Sequence, residues 1–324
     1  MIIVIGEALI DLIGHEGTDI SYQPVVGGAN ANVAVALAQA DIPQKFLGRI
    51  STDAFGQMIR QHLETNGVDL SHSITAKEQT TLAIATIDTQ GVASYSFYIE
   101  GTADWAWTRQ ELPDPSSLVN LNVTAVQFGC LTAAIEPGST VLAGWLSELA
   151  TEAGITLSHD LNIRPSLGFN RESELERVLR FNELSHIIKA SDADIEWLYD
   201  LEPGADLSTV IAQWTRGGKT LLITRGGDGV CLYRGQEEID VPAQSVKLVD
   251  TVGAGDTFMA NFLAKLSDLD ALGSGPNERL GALTSVQLRS AVQYGNAAAA
   301  IVCERRGCQP PSKAETTTRL QAQR

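Results

Sequence analysis

Asp250-Thr-Val-Gly-Ala-Gly-Asp-Thr-Phe258 is the stretch on which the reading of this chain turns. The run Val246 to Val249 leads into it with β-strand character. A helical pattern leaves it, with Met259, Phe262, Leu263 and Leu266 at helical spacing. Gly253 and Gly255 let the backbone turn sharply and approach a ligand with no Cβ in the way. The helix that follows points its first unsatisfied N–H groups, across Gly253, Ala254, Gly255 and Asp256, back into the turn, which makes a site for an anion. Asp256 stands where that helix begins. A carboxylate beside an oxyanion pocket takes a proton from a hydroxyl as phosphorus is attacked. An Asp that merely favours the helix dipole would sit in the same place, so the motif alone leaves both readings open.

At 324 residues, 44% hydrophobic and 19% charged, the chain suits one large α/β domain over residues 1–324 with a small appendage. Its formal charge of −16 argues against a broad nucleic-acid or anionic-membrane surface. A local nest of N–H groups and a metal still hold nucleotide phosphates on an acidic protein. No apolar run approaches the roughly 20 residues of a membrane span. Met1 leads directly into a strand pattern, with neither a basic segment nor a cleavage site. Cys130, Cys231, Cys303 and Cys308 are few and scattered, which suits reduced thiols in a cytoplasm. A cytoplasmic protein with no nucleic-acid or membrane partner is expected.

Ile2 to Ile5 reads as a buried strand ending at Gly6-Glu7, and no G-x-G-x-x-G follows, so a dinucleotide fold fails. Asp11 comes just after it, where side chains reach the ligand crevice of an α/β fold or serve as turn residues. Gly27 to Asp41 begins with two glycines and becomes an alanine-rich helix, with Asn30 and Asn32 at its entry as N-cap candidates. Lys45 to Ile50 reads as a strand and Phe55 to Thr65 as a helix. Thr81 to Ile87 and Val92 to Ile99 alternate with period two around Asp88-Thr-Gln-Gly91, a hairpin pattern. With Ile13 to Val26, they predict a small β-sheet lid from about 12–26 and 80–104; a plain sheet extension is the alternative. After Asp104-Trp105-Ala-Trp107, strand patterns at Val123 to Phe128, Ile155 to Asp160, His186 to Lys189 and Thr220 to Thr224 alternate with helical ones. That predicts a doubly wound, mainly parallel sheet flanked by helices. Asp268 to Thr284 reads as a polar excursion between two helices, and the last dozen residues as a frayed end.

D-T-x-G-A-G-D-x-F resembles the C-terminal signature of the ribokinase-like (PfkB) carbohydrate kinases. The N-terminal signature of that family is matched by Gly27-Gly28-Ala-Asn-Ala-Asn32, followed by Gly48-Arg49 and Asp53-Ala-Phe-Gly56. The resemblance runs over nearly the whole chain, and Gly6-Glu-Ala-Leu-Ile-Asp11 looks most like fructokinases. It implies ATP and Mg²⁺, with sugar hydroxyls held by Asp11 and Asn32 and the sugar approaching the backbone at Gly28. Asn30 stands where many fructokinases have proline, and Ser51-Thr52 where relatives carry Gly-Asp. The family's lid is often also a dimerisation surface, which implies a homodimer.

The remaining candidates follow in chain order. In His159-Asp-Leu-Asn-Ile-Arg-Pro165, residues Asp160, Asn162 and Arg164 alternate, and an extended backbone would put them on one face. The resembling D-x-N-x-R-P pattern implies that Arg164 holds substrate or the transferring phosphoryl group; a structural Asp160–Arg164 ion pair is the alternative. Leu167-Gly168 replaces the usual Leu-Trp. Lys189-Ala-Ser-Asp-Ala-Asp194 occupies the place of the family's N-x-x-E motif, so Asp194 would reach Mg²⁺ through a water, unless Ser191 simply caps a helix from Asp192 to Leu201. Thr224 and Gly226 match nucleotide contacts, and Arg225 reads as exposed. Asn296 and Ala297 to Ala300 offer either a face for adenine or close helix packing. Asp250 to Val252 and Val302 to Gly307 match a monovalent-cation loop and imply K⁺ at Asp250 and Val252, although Pro311 replaces a serine often found there. No Walker A or protein-kinase signature is present. The sequence therefore predicts a kinase acting on a primary hydroxyl, with Asp256 as base and the Gly253–Gly255 turn stabilising the phosphoryl charge. Fructose to fructose 6-phosphate is the first choice. A 2-keto-3-deoxygluconate or other ketose kinase is second, and a non-catalytic sugar sensor is opposed by the intact motif.

Overall fold

The computed structural model describes residues 1–15, 21–87 and 93–322. Its strands in chain order are β1 (Ile2–Ile5), β2 (Leu9–His15), β3 (Tyr22–Gly27), β4 (Gln44–Leu47), β5 (Arg49–Ser51), β6 (Ile74–Ala76), β7 (Leu82–Ile87), β8 (Ala93–Tyr98), β9 (Ala125–Gly129), β10 (Thr156–Asp160), β11 (Ile187–Ser191), β12 (Thr220–Thr224), β13 (Val230–Arg234) and β14 (Glu237–Val241). One sheet has the order β14-β13-β12-β11-β10-β9-β1-β4. It is parallel from β4 through β12 and ends in the antiparallel pair β13–β14. Side chains of β1 alternate as a strand requires: Ile2 and Val4 enter the core under helices Ala29–Gln39, Ala254–Asp268 and Ser285–Cys303. Ile3 and Ile5 enter the opposite core, with Trp145 and Leu146 of helix Gly138–Glu152. Helices on both faces explain why β1 reads as an unbroken apolar run. From β1 the chain proceeds to β4 on one side and later to β9 on the other, so the sheet's switch point lies at β1, where ligand crevices of such folds open.

A second sheet has the order β3-β2-β7-β8, with β2 and β7 parallel and two antiparallel pairs flanking them. It is the small sheet expected from the alternating runs. The turn expected at Asp88–Gly91 lies outside the described residues. Among the described residues no helix is long and apolar enough to cross a membrane.

Several expectations are corrected. Lys45 to Ile50 is not one strand: it breaks at Gly48, and β5 leaves the main sheet to pair with β6. A Cβ at Gly48 would stand 2.2 Å from the Phe46 ring, so the break needs glycine. Val246 to Val249 is irregular, with Leu248 63% and Val249 56% exposed; Val249 N–H donates to the Cys303 carbonyl and not to a strand. The polar C-terminus is not frayed but forms helix Lys313–Gln321, begun by a Ser312–Glu315 capping box and tied down by Arg319 on Glu304. The excursion Asp268 to Thr284 contains a short helix, Pro276–Gly281.

Candidate active site

Two helix N-termini meet at the carboxyl ends of β1, β9, β10 and β11. Helix Ala254–Asp268 starts at Gly253, whose φ of 74° is left-handed and whose first turn receives no side-chain cap. A Cβ at Gly253 would stand 2.1 Å from Cys308 Sγ, so both conformation and space demand glycine there. The Ala254 N–H donates to the Thr251 carbonyl at 3.2 Å, whereas the Gly255 and Asp256 N–H groups have no acceptor among the described residues and remain open to an anion. Asp256 lies in that first turn and is buried, and its Oδ2 accepts from Asn32 Nδ2 at 2.8 Å. Burial pushes its carboxyl up to about 7, helped by the nearby Asp160 charge and opposed by Asn32, Lys189 and Arg164.

Asn32 is delivered by helix Ala29–Gln39, which begins at Gly28 with φ 107°. A Cβ at Gly28 would stand 2.6 Å from the carbonyl oxygen of Glu7. The missing N-cap is supplied from afar. Glu7 accepts from Ala29 N–H at 3.0 Å, and its other oxygen accepts from Asn30 Nδ2 at 3.0 Å and Thr132 Oγ1 at 2.7 Å. Asn30 also donates to the Gly129 carbonyl at 3.2 Å and so braces β9 against the helix. Sequence reasoning missed Glu7; an acid directly after a buried strand was its one signal.

Asp11 lies on β2 opposite Val25. Burial raises its carboxyl to about 6, and Arg164 opposes the shift. Arg164 is exposed and donates only to the Ile163 carbonyl, at 3.4 Å. Asn162 has φ 45°, so the extended alternation of Asp160, Asn162 and Arg164 does not exist. Nor does the Asp160–Arg164 ion pair: Asp160 is held by Lys189 Nζ at 2.7 and 2.8 Å, both residues being buried. Lys189, the second missed residue, also lies 3.4 Å from the position of a Cβ on Gly255. Its third N–H is directed to no described acceptor.

Asp194 forms a capping box with Ser191 at the start of helix Asp192–Tyr199, and its Oδ1 accepts from Ile163 N–H at 2.9 Å. The helix stops before Leu201 because Asp200 is left-handed. Ser191 is thus a cap. Thr224 ends β12 and donates weakly to the Ala190 carbonyl at 3.4 Å, and Gly226 follows with φ 50°. Arg225 is paired with Asp240. Asn296 Nδ2 donates to the Pro242 carbonyl at 3.2 Å, and Ala297, Ala298 and Ala300 are buried in helix packing. Asp250 accepts from Val252 N–H at 3.1 Å and Gly307 N–H at 2.8 Å, and Cys303 carbonyl accepts from Val249 N–H at 2.8 Å, joining the two loops read as one unit. Among the described residues no cluster of three or more His, Cys, Asp or Glu is built to hold a metal.

A buried carboxylate beside a helix N-terminus, at the switch point of a doubly wound sheet, suits an enzyme that transfers a phosphoryl group. The chain matches the pfkB family carbohydrate kinases over residues 1–315. It is 34% identical over 295 residues to a fructokinase of Rhizobium leguminosarum bv. trifolii, covering 86% of this chain and 87% of that protein. It is 30% identical to Fructokinase-1 of Oryza sativa subsp. japonica, covering 96% and 94% respectively. Its fold matches that of the Xylella fastidiosa fructokinase with bound ATP, with a TM-score of 0.89 and 25% identity over 99% of this chain and 98% of that one. The chain belongs to the pfkB family of carbohydrate kinases, and it is a sugar kinase.

Proposed function

We propose that the enzyme phosphorylates the primary hydroxyl of fructose, giving fructose 6-phosphate, with ATP and Mg²⁺. The observation that carries this is Asp256: buried, oriented by Asn32, and set in a helix start whose first turn receives no side-chain cap. The residues present fit a nucleotide and its metal. Mg²⁺ takes few protein ligands when phosphates supply the rest, in keeping with a site that lacks a carboxylate cluster. Both oxygens of Asp194 serve backbone N–H groups and keep lone pairs for a water between them and the metal. Bound ATP supplies the phosphoryl group, and Mg²⁺ masks its charge.

The chain's own residues do the rest. Asn32 fixes Asp256 Oδ2, leaving Oδ1 to take the proton of the sugar hydroxyl. The Gly255 and Asp256 N–H groups, with Arg164 and Lys189 as flanking cations, receive the charge that grows on the phosphoryl oxygens. Asp11, Asn32 and the backbone at Gly28 provide hydroxyl partners for the sugar. Thr224, Gly226 and Asn296 are proposed to line the nucleotide side, and Asp250 and Val252 to hold K⁺. The small sheet acts as the lid over 12–26 and 80–104, excluding water, and joins two copies into a homodimer. The four cysteines are unpaired, which supports a cytoplasmic setting. A coupled ADP-release assay over a panel of sugars tests the reading: fructose-dependent release is expected, and release driven only by other substrates overturns it.

A further inference from the structure

The second sheet joins the main body through three strand roots, and one buried side chain stands among them. Asp104 is 1% exposed. Its Oδ1 accepts from Ala8 N–H at 2.9 Å, at the root of β2, and its Oδ2 accepts from Thr81 Oγ1, at the root of β7. Thr81 Oγ1 lies 2.6 Å from Thr102 Oγ1, which donates to the Ile99 carbonyl at 2.9 Å and so fixes the exit from β8. The Thr81 carbonyl in turn accepts from Ile10 N–H at 3.1 Å. No ion pair to Asp104 exists among the described residues. The Arg49 guanidinium beside this junction is taken up by Glu78, Glu111 and the Ala103 carbonyl.

A carboxylate buried without a cation costs stability, and burial with the Glu7 charge nearby pushes this one up to about 7 against its hydrogen bonds. Its contacts run towards the sugar side of the site. Ala8 follows Glu7, which caps helix Ala29–Gln39. A Cβ on Gly28 would stand 3.1 Å from Ala8 Cα, and β2 carries Asp11 three residues on.

We infer that Asp104 is a positioning residue that couples the second sheet to the sugar pocket through Ala8 and Thr81. It touches no substrate; it sets the relative placement of Asp11, Gly28 and the β7–β8 pair. The inference rests on the sugar-kinase reading. Wild-type enzyme without sugar-dependent ADP release would sink that reading, whereas the outcomes below concern Asp104 alone.

The experiment compares wild type, Asp104→Ala, Asp104→Asn and Thr81→Val by steady-state kinetics, thermal unfolding and amide exchange. Asp104→Ala is expected to raise the sugar KM by about tenfold or more, with the ATP KM within about twofold. Amide exchange should quicken at Ala8 and over Leu82 to Ile84 but not in β4. Asn keeps an acceptor for Ala8 N–H, so Asp104→Asn is expected to restore the sugar KM to within about threefold. If the Ala variant does not fold, Thr81→Val is read in its place, with the same expected direction. A lowered melting temperature with an unchanged sugar KM, or equal rises in both KM values, overturns the inference.

Discussion

Asp256 sits where a charge is costly, and that cost is measurable in two ways. Replacing it with Asn keeps the shape and the Asn32 contact but removes the proposed base. The kcat of Asp256→Asn is therefore expected to fall by roughly 10²–10⁴ with sugar and ATP binding nearly intact, as steady-state kinetics and calorimetry will read. A variant keeping more than about a tenth of the activity removes Asp256 from that role. The wild-type kcat/KM should rise with pH through an apparent pKa near 7, because the free carboxyl must lose its proton to act. The same shift bears on stability. The folded carboxyl, at about 7, holds a proton that the unfolded chain releases above 3.8, so stability falls as pH rises through that window and the loss is complete above it. Asp256→Asn should accordingly melt higher than wild type at pH 8 and show no such gain at pH 3. Equal differences at the two pH values would disprove the linkage. Asp256 and Asn32 were legible because each lies in a local motif. Lys189, Glu7 and Asp104 were not, since each is defined by a partner 22 to 96 residues away.

At the scale of elements, the turn at Gly253 is doubly constrained. Its φ of 74° disfavours any side chain, and Cys308 Sγ occupies the space where one would go. Gly253→Ala is expected to lower kcat/KM for ATP by about tenfold or more, as strain displaces the N–H groups. Adding Cys308→Gly removes the collision but not the backbone strain, so the double variant should recover only part of the loss. Full recovery would make the thiol the sole constraint. The sequence carried this element well: glycines and acid lie between Gly253 and Asp256, and the helical spacing follows directly, from Met259 to Leu266. It carried the strand before it badly. Val246 to Val249 has the residues of a strand, but pairing is decided by neighbours, and its N–H groups go instead to the Cys303 carbonyl and the Glu304 side chain. The C-terminal helix was missed for a related reason, because its cap and its Arg319–Glu304 contact outweigh a polar composition.

For the molecule as a whole, the cations decide which sugar is suited. Buried without a cation, a substrate carboxylate costs several kcal/mol, and this chain carries a formal charge of −16. The segment Ser94 to Asp104 has no Lys or Arg, Arg49 is engaged by two glutamates, and Lys189 is held by Asp160. Of these cations among the described residues, Arg164 remains, and it is the one proposed for the phosphoryl group. We expect kcat/KM for fructose to exceed that for 2-keto-3-deoxygluconate by at least about tenfold, or roughly 1.4 kcal/mol. Parallel assays at equal Mg²⁺·ATP decide it, and a preference for the acid sugar would overturn the substrate while sparing the kinase. The doubly wound sheet was legible from the strand–helix alternation; the break at Gly48 was not, because a ring packing against a bare backbone leaves no periodicity. One contact also governs how the protein is made. Asn32 and Asp256 stand 224 residues apart, so at about 5–20 residues per second roughly 10–45 s separate their synthesis. Until helix Ala254–Asp268 leaves the ribosome, helix Ala29–Gln39, with Val33 and Leu37 in the core, has β1 and β4 beneath it but lacks a major helical partner. The nascent chain therefore carries part of that core unfinished for most of its translation, and the proposed catalytic centre is among the last parts of the enzyme to form.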